Sequence, residues 1–163
     1  TESDAKLIST WRYPTPYDVY NWKPWEEMLA HQLEFADPVI REKQYYTVTD
    51  VSGDVVGFAQ LFPMVGLTRI GLGMRPELCG QRSGQSFVSA IIQEARQRAS
   101  RTSNELDLEV LTWNDRAIRV YQQAGFQITD TYMRPTPTGL AEVHCMVYVP
   151  INEADSNPLK KIP

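Results

Sequence analysis

Two stretches of the chain carry residue types whose spacing could do chemistry. The first, "CGQRSGQ" from Cys79 to Gln85, sets glycines directly ahead of an apolar-periodic run. The first amides of a helix have no intrahelical partner, and the helix dipole adds partial positive charge there, so a turn of this layout can cradle a phosphate. Its spacing is neither the Walker pattern nor the dinucleotide GxGxxG, and by layout alone a plain strand-to-helix connection fits equally well. In the second, "NDRAIRVY", Asn114 and Tyr121 stand seven residues apart. That is two helical turns, so an amide and a phenol face one way and line one wall. Taken singly, Asn114 reads as a helix cap and Tyr121 as packing. A further hint is "LTRIGLGM", where Gly71 and Gly73 interrupt a β-rich run. Glycine weakens a strand and marks a bulge or a close backbone approach, here that of a ligand.

The elements that must position these residues follow from periodicity. "TESDAKLIST" reads as a polar leader, and its Thr1 in place of Met as a processed or trimmed start; "NEADSNPLKKIP" reads as a polar tail over 151–163. "PWEEMLAHQLEFADP" places Trp25, Met28, Leu29, Gln32 and Leu33 at helical spacing, with Pro24 in the first turn and Pro38 beyond the end. Ahead of it, "WRYPTPYDVYNW" favours a short helix or packed loop. "QYYTVTD", "DVVGFAQLF" and "LTRIGLGM" predict an antiparallel meander. Phe87, Val88, Ile91, Ile92, Ala95 and Ala99 share one helical face, predicting a helix from about Gln85 to Arg98. "ELDLEVL" alternates Leu106, Leu108 and Val110 against Asp107 and Glu109, a half-buried strand. A strand, a crossover helix and a second strand predict that "LTRIGLGM" and "ELDLEVL" pair in parallel. Asn114 then caps a short helix that Gly125 ends, and "FQITDTYMRP" with "AEVHCMVYV" closes the chain as a hairpin around "TPTGL". The class is α/β, an α+β mixed sheet in one domain over 1–163.

Composition narrows the function classes. The 163 residues carry a formal charge of −4, with 42% hydrophobic and 22% charged residues. An acidic chain argues against generic nucleic-acid binding and suits a cationic amine partner. No apolar run approaches the roughly 20 residues of a membrane span. Cys79 and Cys145 make neither a disulfide framework nor a metal cluster, so a cytoplasmic setting and no metal are expected. The two histidines, His31 and His144, read as structural.

Taken together, the two stretches resemble the GNAT family of N-acetyltransferases. The first family segment reads approximately V-x-P-x-x-(R/Q)-G-x-G-x-G/A, and "MRPELCGQRSG" matches it through Met74, Pro76, Gly80 and Gly84. The second reads approximately N-x-x-A-x-x-x-Y-x-x-x-G-F, and Asn114, Ala117, Tyr121, Gly125 and Phe126 match every fixed place. The resemblance covers roughly Leu67 to Phe126. Two positions depart from it: Cys79 stands where the family has Arg or Gln, and Arg82 where it has Gly.

The resemblance implies a GNAT fold: N-terminal helices, an antiparallel meander, a central parallel pair splayed around the cofactor, and a C-terminal hairpin. It implies acetyl-CoA as cofactor, its pyrophosphate on the turn of Cys79, Gly80, Gln81, Arg82, Ser83, Gly84 and Gln85, and its pantetheine arm on the backbone of Leu72 and Met74, with Gly71 and Gly73 easing approach. It implies direct transfer from thioester to a primary amine through a tetrahedral intermediate. Tyr121 matches the family's proton donor, and Asn114 would orient cofactor or substrate. Glu109, on the strand leading to the site, is the candidate base, directly or through water; a solvated or ion-paired carboxylate is the alternative. Arg82 would help neutralise phosphate or stand solvated at the surface. The acceptor, a small-molecule or protein amine, is expected against Tyr13 to Phe35, and the protein as a monomer or homodimer. A protein N-terminal acetyltransferase and a non-catalytic acyl-CoA sensor are the alternatives.

Overall fold

The computed structural model describes residues 1–99, 105–136 and 139–150, so "TPTGL" lies partly, and the C-terminal tail and the Ala99 side chain wholly, outside the described residues. Helices α1 (Glu2–Ser9), α2 (Trp25–Ala30) and α3 (Pro38–Gln44) precede strands β1 (Tyr45–Thr49), β2 (Val55–Met64) and β3 (Leu67–Met74). Helix α4 (Gly84–Ala99), strand β4 (Glu105–Leu111), helix α5 (Asp115–Gln123) and strands β5 (Phe126–Thr136) and β6 (Gly139–Tyr148) follow. The strands form one sheet in the order β1-β2-β3-β4-β6-β5. Only β3 and β4 run parallel, and every other pair is antiparallel.

Two cores hold the sheet. On its inner face, Val88, Ile91, Ile92 and Ala95 of α4 and Ile118 of α5 bury against Leu61, Ile70, Leu106, Leu108 and Val110. The helical face read from the sequence is therefore the one that packs. On the outer face, Phe58 anchors a second core with Ala5, Ile8, Trp11, Met28, Phe35 and Ala36.

This second core corrects the reading of the N-terminus. The expected leader is α1, held by a capping box between Thr1 and Asp4, and its Ala5 and Ile8 are buried together with Trp11. The polar letters occupy the solvent face of an amphipathic helix of about two turns, and their number hid the apolar stripe. The expected single helix from Trp25 also breaks. It stops at Ala30, Gln32 and Glu34 take positive φ of 50° each, and a 3₁₀ turn spans Glu34–Ala36. A straight helix would carry Phe35 about 10 Å along the axis from Met28. The break instead folds both into one core, where Phe35 meets Trp22 and Tyr45 edge-on at 4.7 and 5.4 Å. Leu29, expected on the buried face, is 44% exposed. Pro38 does not follow a helix but opens α3, capped by Asp37, whose Oδ1 accepts from Val39 and Ile40.

Candidate active site

The parallel pair holds only from Leu67↔Glu105 to Arg69↔Asp107, and beyond it β3 and β4 part. The Arg75 amide donates to the Val56 carbonyl of β2 at 2.8 Å. Backbone groups alternate sides along a strand, so those of Leu72 and Met74 point the other way, into the gap. Among the described residues this stretch of β3 thus presents a strand edge with no strand partner. At its far end the Tyr13 hydroxyl donates to the Met74 carbonyl at 2.7 Å.

Gly71 and Gly73 also make room across the face of the sheet. A Cβ at Gly73 would lie 2.4 Å from the Phe58 ring, and one at Gly71 would lie 3.3 Å from Gln60. Both absences make room for side chains of the neighbouring strand, and Gly73 in particular lets Phe58 lie across the sheet.

Past β3, the turn brings the expected anion-binding residues together. Gly80 has φ of 82°, and Arg82 takes a left-handed φ of 64°. Arg82 therefore keeps a conformation that glycine makes easy, at a cost of roughly 1–2 kcal/mol. The first helical hydrogen bond of α4 runs from the Phe87 amide to the Ser83 carbonyl. The amides of Gly84, Gln85 and Ser86 have no protein partner among the described residues. Gly84 is also where α5 docks, since a Cβ there would meet Val120 at 3.3 Å. Within the turn, the exposed Gln81 folds back to the Glu77 carbonyl (2.7 Å), and Ser83 Oγ reaches the Leu78 carbonyl (3.5 Å). The Cys79 thiol points at the carbonyls of Met74 and Arg75, and burial pushes its pKa up, so it stays a thiol.

On the α5 side, Asn114 is buried and both ends of its amide are engaged. Its Oδ1 accepts from the Ala117 amide at 3.2 Å, the expected cap, and its Nδ2 donates to the Tyr20 hydroxyl at 3.1 Å. Tyr121 lies half-buried with its ring edge-on to Phe126, centroids 6.1 Å apart. Its hydroxyl has no hydrogen-bond partner among the described residues, yet none of their buried side-chain polar atoms is unsatisfied. The phenol oxygen therefore opens onto accessible space. Burial first, then the neighbouring Tyr20 and Tyr13, raises the Tyr121 pKa well above the ordinary phenol range, keeping its proton in place. Tyr17 and Tyr20 pack on Trp113 at 5.6 and 6.3 Å, and the Arg116 guanidinium sits 4.1 Å over the Tyr17 ring. Two shallow surface clefts, one bordered by Arg12 and Trp25, the other by Arg96 and Tyr148, lie elsewhere.

Of the readings open for Glu109, a base or a solvated or ion-paired carboxylate, the structure shows the ion-paired one. Its Oε1 accepts from Arg69 and from the Tyr132 hydroxyl, and its Oε2 accepts from Arg134. Asp107, expected on a solvent face, is buried, and Arg69 forks onto it at 3.1 and 2.6 Å. Arg69, Tyr132 and Arg134 are the residues that sequence reasoning missed. Arg69 sits in the β3 run two residues before Gly71, a charge on an otherwise uncharged strand, and that was the available signal. Of the histidines, His144 Nδ1 pairs with the Thr131 hydroxyl at 2.7 Å, and His31 ends α2. Among the described residues no acidic, His or Cys group could hold a metal ion, and no helix is long and apolar enough to cross a membrane.

Known proteins share this fold. A chimeric spermidine N-acetyltransferase built on the Vibrio cholerae enzyme superposes with a TM-score of 0.69 at 13% identity, covering 91% of this chain and 92% of that one. The Vibrio cholerae spermidine N-acetyltransferase in complex with CoA and spermine gives 0.58 at 15% identity over 75% and 71%. A GNAT-family acetyltransferase from Bacillus anthracis gives 0.59 at 10% identity over 70% and 72%. These identities speak for a common fold alone. No curated protein matches the chain in sequence. The family model described as "Acetyltransferase (GNAT) family" matches residues 6–126, across both signature segments, the splayed strands and the α5 wall. The chain belongs to the GNAT family of acetyltransferases.

Proposed function

We propose that the protein is an acetyl-CoA-dependent N-acetyltransferase acting directly on a primary amine. Three observations together carry the reading: the orphan amides of Gly84, Gln85 and Ser86, the edge of β3 at Leu72 and Met74 where its pairing with β4 has ended, and the unpaired Tyr121 phenol. Acetyl-CoA would supply an activated acetyl thioester. The α4 amides suit its diphosphate, with Arg82 adding charge at the rim, and the Leu72 and Met74 backbone suits its amide-bearing arm. Tyr121 holds a proton at its phenol oxygen where a departing thiolate needs one. Asn114 fixes Tyr20 and the start of α5, so it positions the wall on which Tyr121 stands.

Glu109 contributes through its charge network. With Arg69 and Tyr132 on Oε1 and Arg134 on Oε2, three of its about four acceptor positions are occupied, so in this reading the acceptor sheds its proton to solvent or through water. The acceptor lies against Tyr13, Tyr17, Tyr20 and Trp113. The spermidine N-acetyltransferases of like fold make amines the acceptor class to assay first.

Thioester consumption with a panel of primary amines, beside CoA titration by calorimetry, tests the reading. Amine-dependent release of CoA thiol is the expected result. CoA binding with no transfer to any amine would leave a sensor module; no CoA binding at all would remove the assignment.

A further inference from the structure

Glu109 is the first outward-facing residue of β4 beyond the last paired couple, Arg69↔Asp107. Its counterpart on β3, two residues past Arg69, is Gly71, which presents no side chain. The throat of the gap on this face thus has one charged wall, the Glu109 carboxylate. An acceptor carrying a second ammonium would find its natural counter-charge there. The position is already taken. Arg69 is committed to Asp107 by a two-point fork and reaches Glu109 Oε1, while Arg134, from the β5–β6 hairpin, covers Oε2. Two carboxylates meet two guanidiniums, and the throat is neutral. Asp18, Glu77 and Asp115 at the rim are exposed, where water and salt screen them. What surrounds the mouth otherwise is aromatic, Tyr17, Tyr20 and Trp113, with Arg116 laid over Tyr17.

We infer that Arg134 is a specificity-determining residue: by occupying Glu109 it turns the acceptor site against linear di- and polyamines and toward monoamines with an aromatic or apolar body. The two guanidiniums are not equivalent. The Arg134 side chain is 55% exposed and that of Arg69 28%. Removing Arg134 leaves Glu109 with Arg69, shared with Asp107, and the Tyr132 hydroxyl, both on Oε1, and frees Oε2 for a ligand ammonium, while Asp107 keeps its fork. The selectivity is one of charge exclusion, in which the unwanted acceptor meets an occupied counter-ion.

The inference rests on the proposed N-acetyltransferase activity, and the experiment separates the two. Thioester consumption is followed with phenethylamine and with diaminobutane for the parent, Arg134→Gln and Arg134→Lys, each checked by melting temperature. The parent should favour phenethylamine in kcat/KM. Arg134→Gln should raise the diaminobutane-to-phenethylamine ratio about tenfold through the KM of the diamine, the scale of one partly screened charge pair. Arg134→Lys keeps the charge and should keep the parent ratio. A general loosening of the hairpin would depress both amines together and leave the ratio alone. A parent that favours the diamine, or an unmoved ratio in Arg134→Gln, overturns the inference and leaves the activity standing. Absence of transfer to any amine by all three proteins, with CoA still raising the melting temperature, overturns the activity and the inference with it.

Discussion

Replacing Tyr121 by phenylalanine separates packing from chemistry at one atom. The ring stays edge-on to Phe126, and the hydroxyl it loses donates to nothing among the described residues. No hydrogen bond is forfeited and no cavity opens in the core. The expected stability change is within about 0.5 kcal/mol, a melting shift of roughly 2 °C or less for a chain of this size. Turnover should behave otherwise. A positioned general acid contributes roughly 10²-fold or more, about 2.7 kcal/mol of barrier. Because burial raises the Tyr121 pKa above the ordinary phenol value of about 10, the parent rate should not fall from its ionisation below that pH. The assay is steady-state release of CoA thiol with one amine at saturation, for parent and Tyr121→Phe, alongside CoA titration and thermal melts. The expected pattern is a large loss in kcat with affinity and melting temperature preserved. Unchanged kcat where chemistry limits the rate would strip Tyr121 of the acid role, and a melting loss of many degrees would show that its hydroxyl holds structure.

Further expectations follow from the same geometry. CoA at about 100 times its Kd should stabilise the folded chain by roughly 2.7 kcal/mol, and analogues lacking the diphosphate should do far less; scanning calorimetry reads both. Arg82→Gly should relieve the left-handed φ and stabilise by about 1 kcal/mol while weakening CoA binding, and tighter CoA binding by this variant would refute the phosphate role of Arg82. Asn114→Ala removes the α5 cap and the tie to Tyr20, and should cost about 1 kcal/mol or more in denaturant unfolding. Tyr13, Tyr45, Tyr121 and Tyr132 all have raised pKa values, Tyr132 to about 12 through burial and then Glu109. A raised phenol binds its proton more tightly in the folded chain, so stability should be fully present below about pH 10 and fall as pH climbs from there through the folded values; a midpoint flat to pH 12 would contradict this.

What the sequence by itself determined is local. Asn114 as a cap, Gly125 as a left-handed stop at φ of 105°, and the α4 face are decided within a turn or two of chain, where side-chain spacing and backbone propensity act directly. The same is true of the turn before α4, whose glycine and polar letters mark the helix start that supplies its free amides. The direction of the β3–β4 pairing was also legible, because a helix between two strands brings the second back in parallel.

Only the tertiary structure decided where the pairing stops, and that stop makes the gap. It decided too that Arg69, Asp107, Glu109 and Arg134, spread over 65 residues of chain, neutralise one another on the outer face. Alternation placed Asp107 and Glu109 away from the apolar face but could not say what covers them, since that depends on strand register across the sheet. The N-terminal segment shows the same limit. Its polar letters and helical spacing were real, yet α1 packs because Phe58 lies across a sheet that Gly73 leaves open, and the helix after Trp25 breaks because Phe35 must reach the same core as Met28. A side chain's destination in a core is set by partners far away in sequence, and spacing along the chain carries no record of them.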